Sequence, residues 1–285
     1  MKISVITVCL NSARTIGHTL ETFFRQDHPS KEIIVVDGGS HDDTLGVVRS
    51  FATDGLTVIS EPDEGPYDAA NKGLALYAGD AVGLLNSDDG FADDHALRHI
   101  ADALVRSDIT FGNVDFVADH RSSEVLRHWR GSPYANGAFR RGWMPAHPTF
   151  YAKRSVVDAL AGFDTRYSVA ADYDFMLRAL ELNDFRTSFI DRVLVRMMHG
   201  GERRSGLKAL VTHGYEALRS RMQWLDPCAF DCSQIPSRTV GPPPLGVPSV
   251  GPGWPTRVGS DGNAVTSQQR VFGADRARSA SHPQQ

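Results

Sequence analysis

Acidic side chains stand where several short apolar runs of this chain end. They are Asp37, Asp63, Glu64, Asp68, Asp88 and Asp89. Carboxylates so placed would repel a phosphate ligand unless a dication lay between, and Mg²⁺ or Mn²⁺ can bridge protein carboxylates and a diphosphate. The loops that hold phosphate directly are missing: Asn11-Ser12-Ala13-Arg14-Thr15 follows the first run, and no G-x-x-x-x-G-K-[ST] occurs. The acids therefore predict a metal-bridged anionic ligand.

Each acid also has a structural interpretation. Asp37 precedes Gly-Gly and suits a turn, and Asp88-Asp89 suits the cap of a following helix as well as it suits a metal. Asp172 and Asp174 fall near the start of a predicted helix, where the helix dipole favours acids. From the residues alone, that interpretation is the better one for both.

The elements that must position these acids follow from hydrophobic periodicity. Apolar runs predict strands at Ile3–Cys9, Glu32–Val36, Leu56–Ile59 and Ala81–Leu85, and helical spacing predicts helices at Thr15–Gln26, through Leu45, Val48 and Phe51, and at Tyr67–Tyr77. This alternation implies right-handed crossovers and a mostly parallel sheet. Ligands of such sheets bind beyond the carboxyl ends of the strands. Asp37, the Glu61–Asp68 loop and Asn86–Asp89 should share that edge.

The second half of the chain has a mixed pattern. It predicts strands at Ile109–Val117, Glu124–Trp129 and His147–Tyr151, helices at Asp93–Val105 and Ser168–Leu182, and one or two strands within Phe185–Met198. We expect one domain over residues 1–200, with a first half at about 1–106 and a second half at about 107–200. The second half would extend the sheet and form the far wall of a cleft.

The C-terminal region separates into two parts. Residues 201–225 contain a basic amphipathic helix, Ser205–Leu225, which suits an anionic membrane surface and equally suits packing on the domain with a solvated charged face. Residues 226–285 hold nine of the 15 prolines and neither lysine nor glutamate. This composition predicts a disordered tail, and it also fits a frameshifted reading of GC-rich DNA.

Bulk properties limit the protein class. The chain has 285 residues, a formal net charge of −4 and three cysteines, which argue against general nucleic-acid binding and against a disulfide scaffold. No apolar stretch approaches the roughly 20 residues of a membrane span. We expect a cytoplasmic protein whose membrane contact, if any, is peripheral at the inner face.

Four segments in register resemble the family 2 inverting glycosyltransferases of GT-A fold. They are Thr7–Asn11, Val36–Thr44, Glu61–Gly73 and Leu85–Asp89. The resemblance covers about residues 1–200 and is strongest to the bacterial subgroup that builds exopolysaccharide, lipopolysaccharide and glycolipid sugars. It implies an α/β, Rossmann-like sheet flanked by helices. It also implies transfer of a sugar from a nucleotide-diphosphate donor to a saccharide or lipid-linked saccharide, with residues 1–106 as the donor half and 107–200 as the acceptor half. The Q-x-x-R-W element of processive synthases is absent, which favours single-sugar transfer.

The resemblance assigns donor-side and metal roles. Asp37 would contact the base or ribose, and Asp88 would be the metal ligand, with Asp89 as the alternate and Asn86 in place of the motif's usual first acid. His199, in His199-Gly200-Gly201, would lie near the diphosphate as a metal or phosphate ligand. The remaining donor-pocket residues implied are Thr7, Asn11, Asp63, Tyr67, Asp68, Asn71, Lys72, Asn86 and Ser87.

The resemblance also places the catalytic base. Ala171-Asp172-Tyr173-Asp174 stands where the family carries an acidic element, so Asp172 would take the acceptor proton and Asp174 would lie on the acceptor side. His147 would lie near the acceptor cleft, although a buried, satisfied histidine is the simpler interpretation. The alternatives are a nucleotidyltransferase, a dinucleotide-dependent oxidoreductase and a catalytically degenerate nucleotide-sugar binder in an assembly complex. The first two would need a Gly-rich loop that this chain lacks.

Overall fold

The computed structural model describes residues 1–51, 53–119, 124–198 and 207–225, without the side chains of 207–210. His199, the two glycines after it and the predicted tail at 226–285 lie outside the described residues. The following account concerns the described residues alone.

The first half of the chain forms the parallel part of the sheet. Its elements are β1 (Ile3–Cys9), α1 (Ile16–Phe24), β2 (Lys31–Asp37), α2 (Thr44–Ser50), β3 (Leu56–Ser60), α3 (Pro66–Leu74) and β4 (Ala81–Leu84). The strand order is β3-β2-β1-β4, and each neighbouring pair is parallel. The apolar runs of β1 and β2 are buried almost throughout because helices cover both faces of the sheet. The predicted strand–helix alternation is confirmed.

The second half continues the same sheet in mixed directions. Its elements are β5 (Asp89–Phe91), α4 (Ala96–Leu104), β6 (Ile109–Val117), β7 (Val125–Trp129), β8 (Tyr151–Lys153), α5 (Arg154–Leu160), α6 (Ala171–Glu181), β9 (Thr187–Met198) and α7 (Leu207–Trp224). Strand β8 lies antiparallel between β4 and β6, and β9 runs parallel to β6. Strands β5 and β7 pair antiparallel with β9 and β6. Through β8, this half lies directly beside the parallel strands.

The predicted strand at His147–Tyr151 is wrong. Residues His147–Thr149 form a 3₁₀ turn, and only Tyr151–Lys153 pairs in the sheet. The cause is local: Pro148 fixes φ and has no N–H for a ladder. The Thr149 hydroxyl also donates to the Ala146 carbonyl at 2.7 Å. The turn places His147 on a loop rather than on a strand.

Two short elements have no counterpart in the sequence prediction. Helix α5 has seven residues and β5 has three, too few for periodicity to distinguish a helix from a strand. Conversely, the region predicted as one or two strands near the end of the domain is the single strand β9, of 12 residues.

Candidate active site

Loops at the carboxyl edge of the parallel strands are joined to one another by side-chain hydrogen bonds. The Asn11 backbone N–H donates to Ser40 Oγ at 2.7 Å, and the His41 N–H donates to Asn11 Oδ1 at 2.9 Å. Asn11 has a φ of 52°, a left-handed conformation that asparagine tolerates better than most residues. The loops after β1 and β2 therefore form one rim.

Asp37 ends β2 and is completely buried. Its carboxylate accepts hydrogen bonds from the Ser40 N–H at 3.0 Å and the Ser60 hydroxyl at 2.7 Å. Burial alone would raise the pKa of Asp37, but hydrogen bonds from Ser40 and Ser60 outweigh it and lower the pKa below its ordinary value. Burial, and then the charge of Asp37, raises the pKa of the Cys9 thiol, which donates to Asp37 at 3.7 Å. Asp37 thus organises the loop; its contact with a donor base or ribose stays a prediction.

The loop after β3 lies against the loop after β2. A Cβ added to Gly38 would lie 2.3 Å from Asp63 Oδ2, so the Asp63 carboxylate occupies the space that a side chain at position 38 would need. Asp63 Oδ1 accepts the N–H of Gly65 at 2.9 Å, and Gly65 has a φ of 133°, which favours glycine. Asp63 is therefore held at the rim, beside the loop that Asp37 organises.

Three predicted donor residues on α3 serve the protein's own structure. Lys72 Nζ lies 3.0 Å from a Glu61 oxygen and 3.5 Å from Asp68 Oδ2. The Asn71 side chain exchanges two hydrogen bonds with the backbone of Phe163, both 2.9 Å long. These contacts tie α3 to the loop after β3 and to the segment that precedes α6.

The loop after β4 completes the rim. The Ser87 hydroxyl donates to Ser12 Oγ at 2.9 Å, and Asn86 Nδ2 donates to Asp89 Oδ2 at 2.9 Å. Asp89 is buried at the start of β5, whereas Asp88 is half-buried. The described residues contain no group of three His, Cys, Asp or Glu side chains able to hold a metal. Any cation here would depend on the Asp88 carboxylate together with ligand and water oxygens.

Thr7 lies in the interior of β1 and is completely buried. Within the described part of the chain, its Oγ1 has no hydrogen-bond partner. Its expected donor contact stays a prediction.

Asp172 lies in the first turn of α6, where two groups hold its carboxylate. Tyr67 Oη on α3 is 3.0 Å from Asp172 Oδ1, and the Tyr173 N–H donates to the same oxygen at 2.9 Å. Tyr67 Oη also lies 2.7 Å from the Val169 carbonyl. The Asp172 side chain is 12% exposed, so it is nearly enclosed yet open to the cleft.

His147 links Asp172 to the loop after β4. Its Nε2 is 3.2 Å from Asn86 Nδ2, and its Nδ1 is 3.5 Å from Asp172 Oδ2. An amide nitrogen only donates, and Asn86 Nδ2 is oriented by its bond to Asp89, so Nε2 acts as the acceptor. The proton of the neutral imidazole is then assigned to Nδ1, towards Asp172. This arrangement gives His147 a defined tautomer.

A small apolar cavity of about 40 Å³ lies beside this pair. His147 and Asp172 are the only polar side chains among its lining residues; the others include Leu74, Phe150 and Phe175. An apolar wall weakens solvent screening, which strengthens the hydrogen bonds that the Asp172 carboxylate accepts.

Helix α7 supplies a positioning residue that the sequence did not reveal. The Glu216 carboxylate accepts the backbone N–H groups of Ser168, Val169 and Ala170, each at 2.9 Å. Burial raises the pKa of Glu216, but these hydrogen bonds prevail and lower it below its ordinary value. The Tyr67 hydroxyl contacts both the Val169 carbonyl and the Asp172 carboxylate. By holding the backbone of residues 168–170, Glu216 therefore positions the segment that carries the candidate base. The available signal was a single acid within a basic helix.

Asp174, expected on the acceptor side, is completely buried. It pairs with Arg178 at 2.7 Å and accepts hydrogen bonds from Ser220 and Trp224, both at 2.8 Å. The structure gives it a place in the packing of α6 against α7, and we assign it no contact with an acceptor.

One network now spans the site. From Asp172 it passes through His147 to the loop of Asn86 and Ser87, then through Ser12 and the neighbouring Asn11 to Ser40, and ends at Asp37. The structure thus assembles acids that are 135 positions apart in the chain at one side of the sheet. Asp37 and the loop after β4, which were expected to share one edge, are thus linked, and Asp172 joins the same network.

A parallel sheet continued by a mixed half, with acids along its carboxyl edge, is the arrangement of the GT-A fold found in glycosyltransferases. The chain belongs to glycosyl transferase family 2, whose family model matches residues 4–160, more than half of its length.

Named relatives are consistent with that assignment. A PGL/p-HBAD biosynthesis glycosyltransferase of Mycobacterium bovis is 30% identical over 182 residues, which cover 61% of this chain and 68% of the relative. An uncharacterized glycosyltransferase of Mycobacterium tuberculosis is 31% identical over 181 residues, covering 62% and 68%.

Solved structures share the fold. S. aureus TarS 1–349 in complex with UDP-GlcNAc has a TM-score of 0.60 at 20% identity, covering 79% of this chain and 73% of that one. The mannosyltransferase PcManGT from Pyrobaculum calidifontis, in complex with GDP-Man and Mn²⁺, has a TM-score of 0.57 at 24% identity, covering 76% and 64%.

Proposed function

We propose that this chain transfers a single sugar from a nucleotide-diphosphate donor to a hydroxyl of a saccharide or lipid-linked saccharide, inverting the anomeric configuration. The observation that carries the proposal is the Asp172 carboxylate, oriented by Tyr67 and connected through His147 to the loop after β4. A carboxylate held at that side of the sheet is placed to act on a nucleophile that approaches the donor.

Asp172 is the proposed general base. It takes the proton of the acceptor hydroxyl as that oxygen attacks the anomeric carbon from the face opposite the nucleotide. One carbon–oxygen bond forms, the bond to the diphosphate breaks, and the configuration inverts. A positioned base contributes about 10²–10⁴-fold to the rate.

Tyr67 and His147 act on this step by positioning. The phenol fixes Asp172 Oδ1, while the imidazole presents an N–H towards Oδ2. The remaining lone pairs of the carboxylate are directed by these contacts, and the apolar cavity shields the pair from water. Asn86 donates a hydrogen bond to His147 Nε2 and so fixes the tautomer of the imidazole. A carboxylate at position 86 could not donate that hydrogen bond.

Asp88 is the residue that would hold Mg²⁺ or Mn²⁺. Magnesium sites in enzymes that act on phosphates use one or two carboxylates together with substrate oxygens, so a single half-buried aspartate fits. Asp89 fits less well, because it is buried and bonded to Asn86. When bound, the cation would neutralise negative charge on the departing diphosphate.

The donor would lie along the rim formed by the loops after β1 to β4. Asp37, Asn11 and Asp63 shape that rim through their hydrogen bonds, and Ser87 joins it to the loop of Asp88. We propose this rim as the base and ribose site, with Lys72 and Asp68 supporting it from α3.

An anionic membrane surface is the proposed docking partner of α7. Its inner face buries Glu216 and Ser220 in hydrogen bonds, while its outer face exposes Val211, Tyr215 and Leu218, which are 61%, 66% and 46% exposed. Arg219 and Arg221 flank this stripe on α7; the Arg219 guanidinium packs over the Tyr167 ring, and the Arg221 Nε is buried. An apolar stripe beside basic side chains suits a lipid interface. In the described residues no helix has the length and hydrophobicity needed to cross a bilayer. From the exposed face of α7 we propose peripheral contact at the cytoplasmic face of the membrane.

The function is tested by a thermal-shift panel of UDP-, GDP- and dTDP-sugars with and without Mn²⁺, followed by assay of nucleotide diphosphate release. A donor should raise the melting temperature by mass action, more so with Mn²⁺, and slow metal-dependent release should follow. Binding without release would favour a degenerate binder. Neither binding nor release with any donor would overturn the proposal.

A further inference from the structure

An open cavity of about 240 Å³ lies at the end of β7, lined by none of the residues assigned above to the donor or to catalysis. Two tryptophans, 14 positions apart in the chain, contribute to its wall. The lining residues are Trp129, Arg130, Gly131, Ser132, Gly142, Trp143 and Met144.

The chemistry of this lining favours a ring with apolar faces and a hydroxylated edge. Trp129 and Trp143 are half-buried, so each presents indole surface to the solvent. The Trp143 Nε1–H donates to Ser132 Oγ at 3.0 Å, which leaves that hydroxyl's own proton available. Arg130 adds an exposed cation, and none of the described residues that line the cavity is acidic. A pyranose, whose C–H faces pack on indole while its hydroxyls face polar groups, matches this set.

The cavity walls are held rigidly. Trp129 stacks on Phe116 with ring centroids 6.3 Å apart and an interplanar angle of 10°. Trp143 packs edge-on against Phe139 at 5.7 Å, and Phe139 in turn packs against Tyr173 at 5.2 Å. Tyr173 directly follows Asp172, so an aromatic stack connects the cavity wall to the helix turn that carries the candidate base. Rigid aromatic surface lowers the entropic cost of binding.

The short chain segment between Trp143 and His147 limits the distance between the cavity and the catalytic residues. Trp143 and His147 are four positions apart in the chain, so their Cα atoms are at most about 14 Å apart. The donor rim lies on the loops after β1 to β4, whereas this cavity lies on β7 and the segment that leads into the 3₁₀ turn of His147. The cavity therefore lies on the mixed half of the sheet, not on the strands whose loops form the donor rim.

We infer that this cavity, which we name the tryptophan subsite (Trp129, Arg130, Ser132 and Trp143), binds a pyranose unit of the acceptor next to the unit that is glycosylated. The inference rests on the proposed function for its role in catalysis. Its binding chemistry stands on the cavity alone.

Saturation-transfer NMR of the full chain with a panel of methyl α- and β-glycopyranosides tests the inference. Ser132→Trp fills the subsite from an exposed position, and Trp129→Ala removes one indole. Both should weaken binding of the glycosides that bind the wild type by about tenfold or more. Leu126→Ala, an exposed position on the same strand, is the matched control and should leave binding unchanged.

Melting temperatures of all variants are measured alongside, and Ser132→Trp keeps the test valid if Trp129→Ala loses stability. Unchanged glycoside binding in Ser132→Trp, or no binding of any glycoside to the wild type, would overturn the subsite. Hydrolysis of nucleotide-diphosphate sugars by the same proteins separates the two proposals. If the variants still hydrolyse donors and their glycoside binding is unaffected, the subsite alone is rejected. If the wild type is inactive on every donor, the proposed function is rejected instead.

Discussion

Tyr67 Oη lies 3.0 Å from Asp172 Oδ1, a contact between α3 and α6 that joins residues 105 positions apart. It connects the first turn of the helix after β3 to the first turn of the helix that carries the candidate base. The two halves of the sheet are thereby linked at the site itself.

Tyr67→Phe should lower turnover without weakening donor binding. The single proton of the Tyr67 hydroxyl is shared between the Asp172 carboxylate and the Val169 carbonyl. The variant therefore loses at most one hydrogen bond to a charged group, worth about 1.5–3 kcal/mol, which corresponds to roughly tenfold to hundredfold in kcat. Tyr77→Phe is the control, because its hydroxyl has no hydrogen-bond partner in the described structure. Equal kcat for the two variants would show that the Tyr67 contact has no role in the reaction.

Asp172→Asn should reduce kcat by about 10²–10⁴-fold, because the amide cannot accept the acceptor proton. Donor affinity, measured by titration calorimetry, should change little. Wild-type turnover in this variant would disprove the assignment of the base.

Asp174→Asn should act on stability instead. The side chain of Arg178 is only 9% exposed, and the change removes the carboxylate that neutralises its charge. The free energy of unfolding should therefore fall by about 3–5 kcal/mol. The melting temperature should fall by roughly 6–20 °C. A variant as stable as the wild type but inactive would contradict the purely structural role. It would indicate that Asp174 acts on the acceptor side after all.

Asp88→Asn should weaken metal-dependent donor binding, since it removes the only carboxylate to which we assign the cation. Titration of a donor nucleotide with and without Mn²⁺ measures the effect, and the metal should strengthen binding in the wild type and hardly at all in the variant. Asp102→Asn, on the exposed face of α4, serves as the control. Full activity of the wild type in EDTA would exclude the metal.

Glu216→Gln should show a pH-dependent loss of stability. The folded-state pKa of Glu216 is lowered, so its carboxylate stabilises the fold above the unfolded pKa of about 4.3, and that contribution disappears as the pH falls through the folded pKa. Urea unfolding should therefore give a gap of about 1–3 kcal/mol between wild type and variant at pH 7. The gap should close below about pH 4; a gap that is constant with pH would contradict the assignment. Exposed Glu21→Gln should show no gap.

Replacing Val211, Tyr215 and Leu218 by serine should release the protein from vesicles that contain anionic lipid. Burial of apolar surface and attraction by basic side chains both contribute to such binding. Serine at Val58, Leu76 and Leu126, which are 43%, 41% and 48% exposed, makes a matched control. Equal sedimentation of the two triple variants with the vesicles would disprove membrane docking by α7.

The parallel strands, and the edge at which we expect a ligand to bind, could be predicted from the sequence alone. The runs of β1, β2 and β4 are apolar because both faces of a parallel sheet are buried, and this pattern is local enough to be recognised without a structure. Since all strands of such a sheet end at one edge, Asp37 and Asp88 were expected there together. The motif resemblance added Asp172 as the base.

The contribution of the second half to the site depends on tertiary packing. Asp172 and Asp174 both fall in the first turn of α6, yet a helix rotates neighbouring positions to different faces, so one carboxylate meets Tyr67 and the other Arg178 and α7. Contacts of Glu216 with residues 168–170, and of His147 with Asn86, join segments 46 to 61 positions apart in the chain. No periodicity records such pairings, because they depend on which surfaces the packed helices bring together.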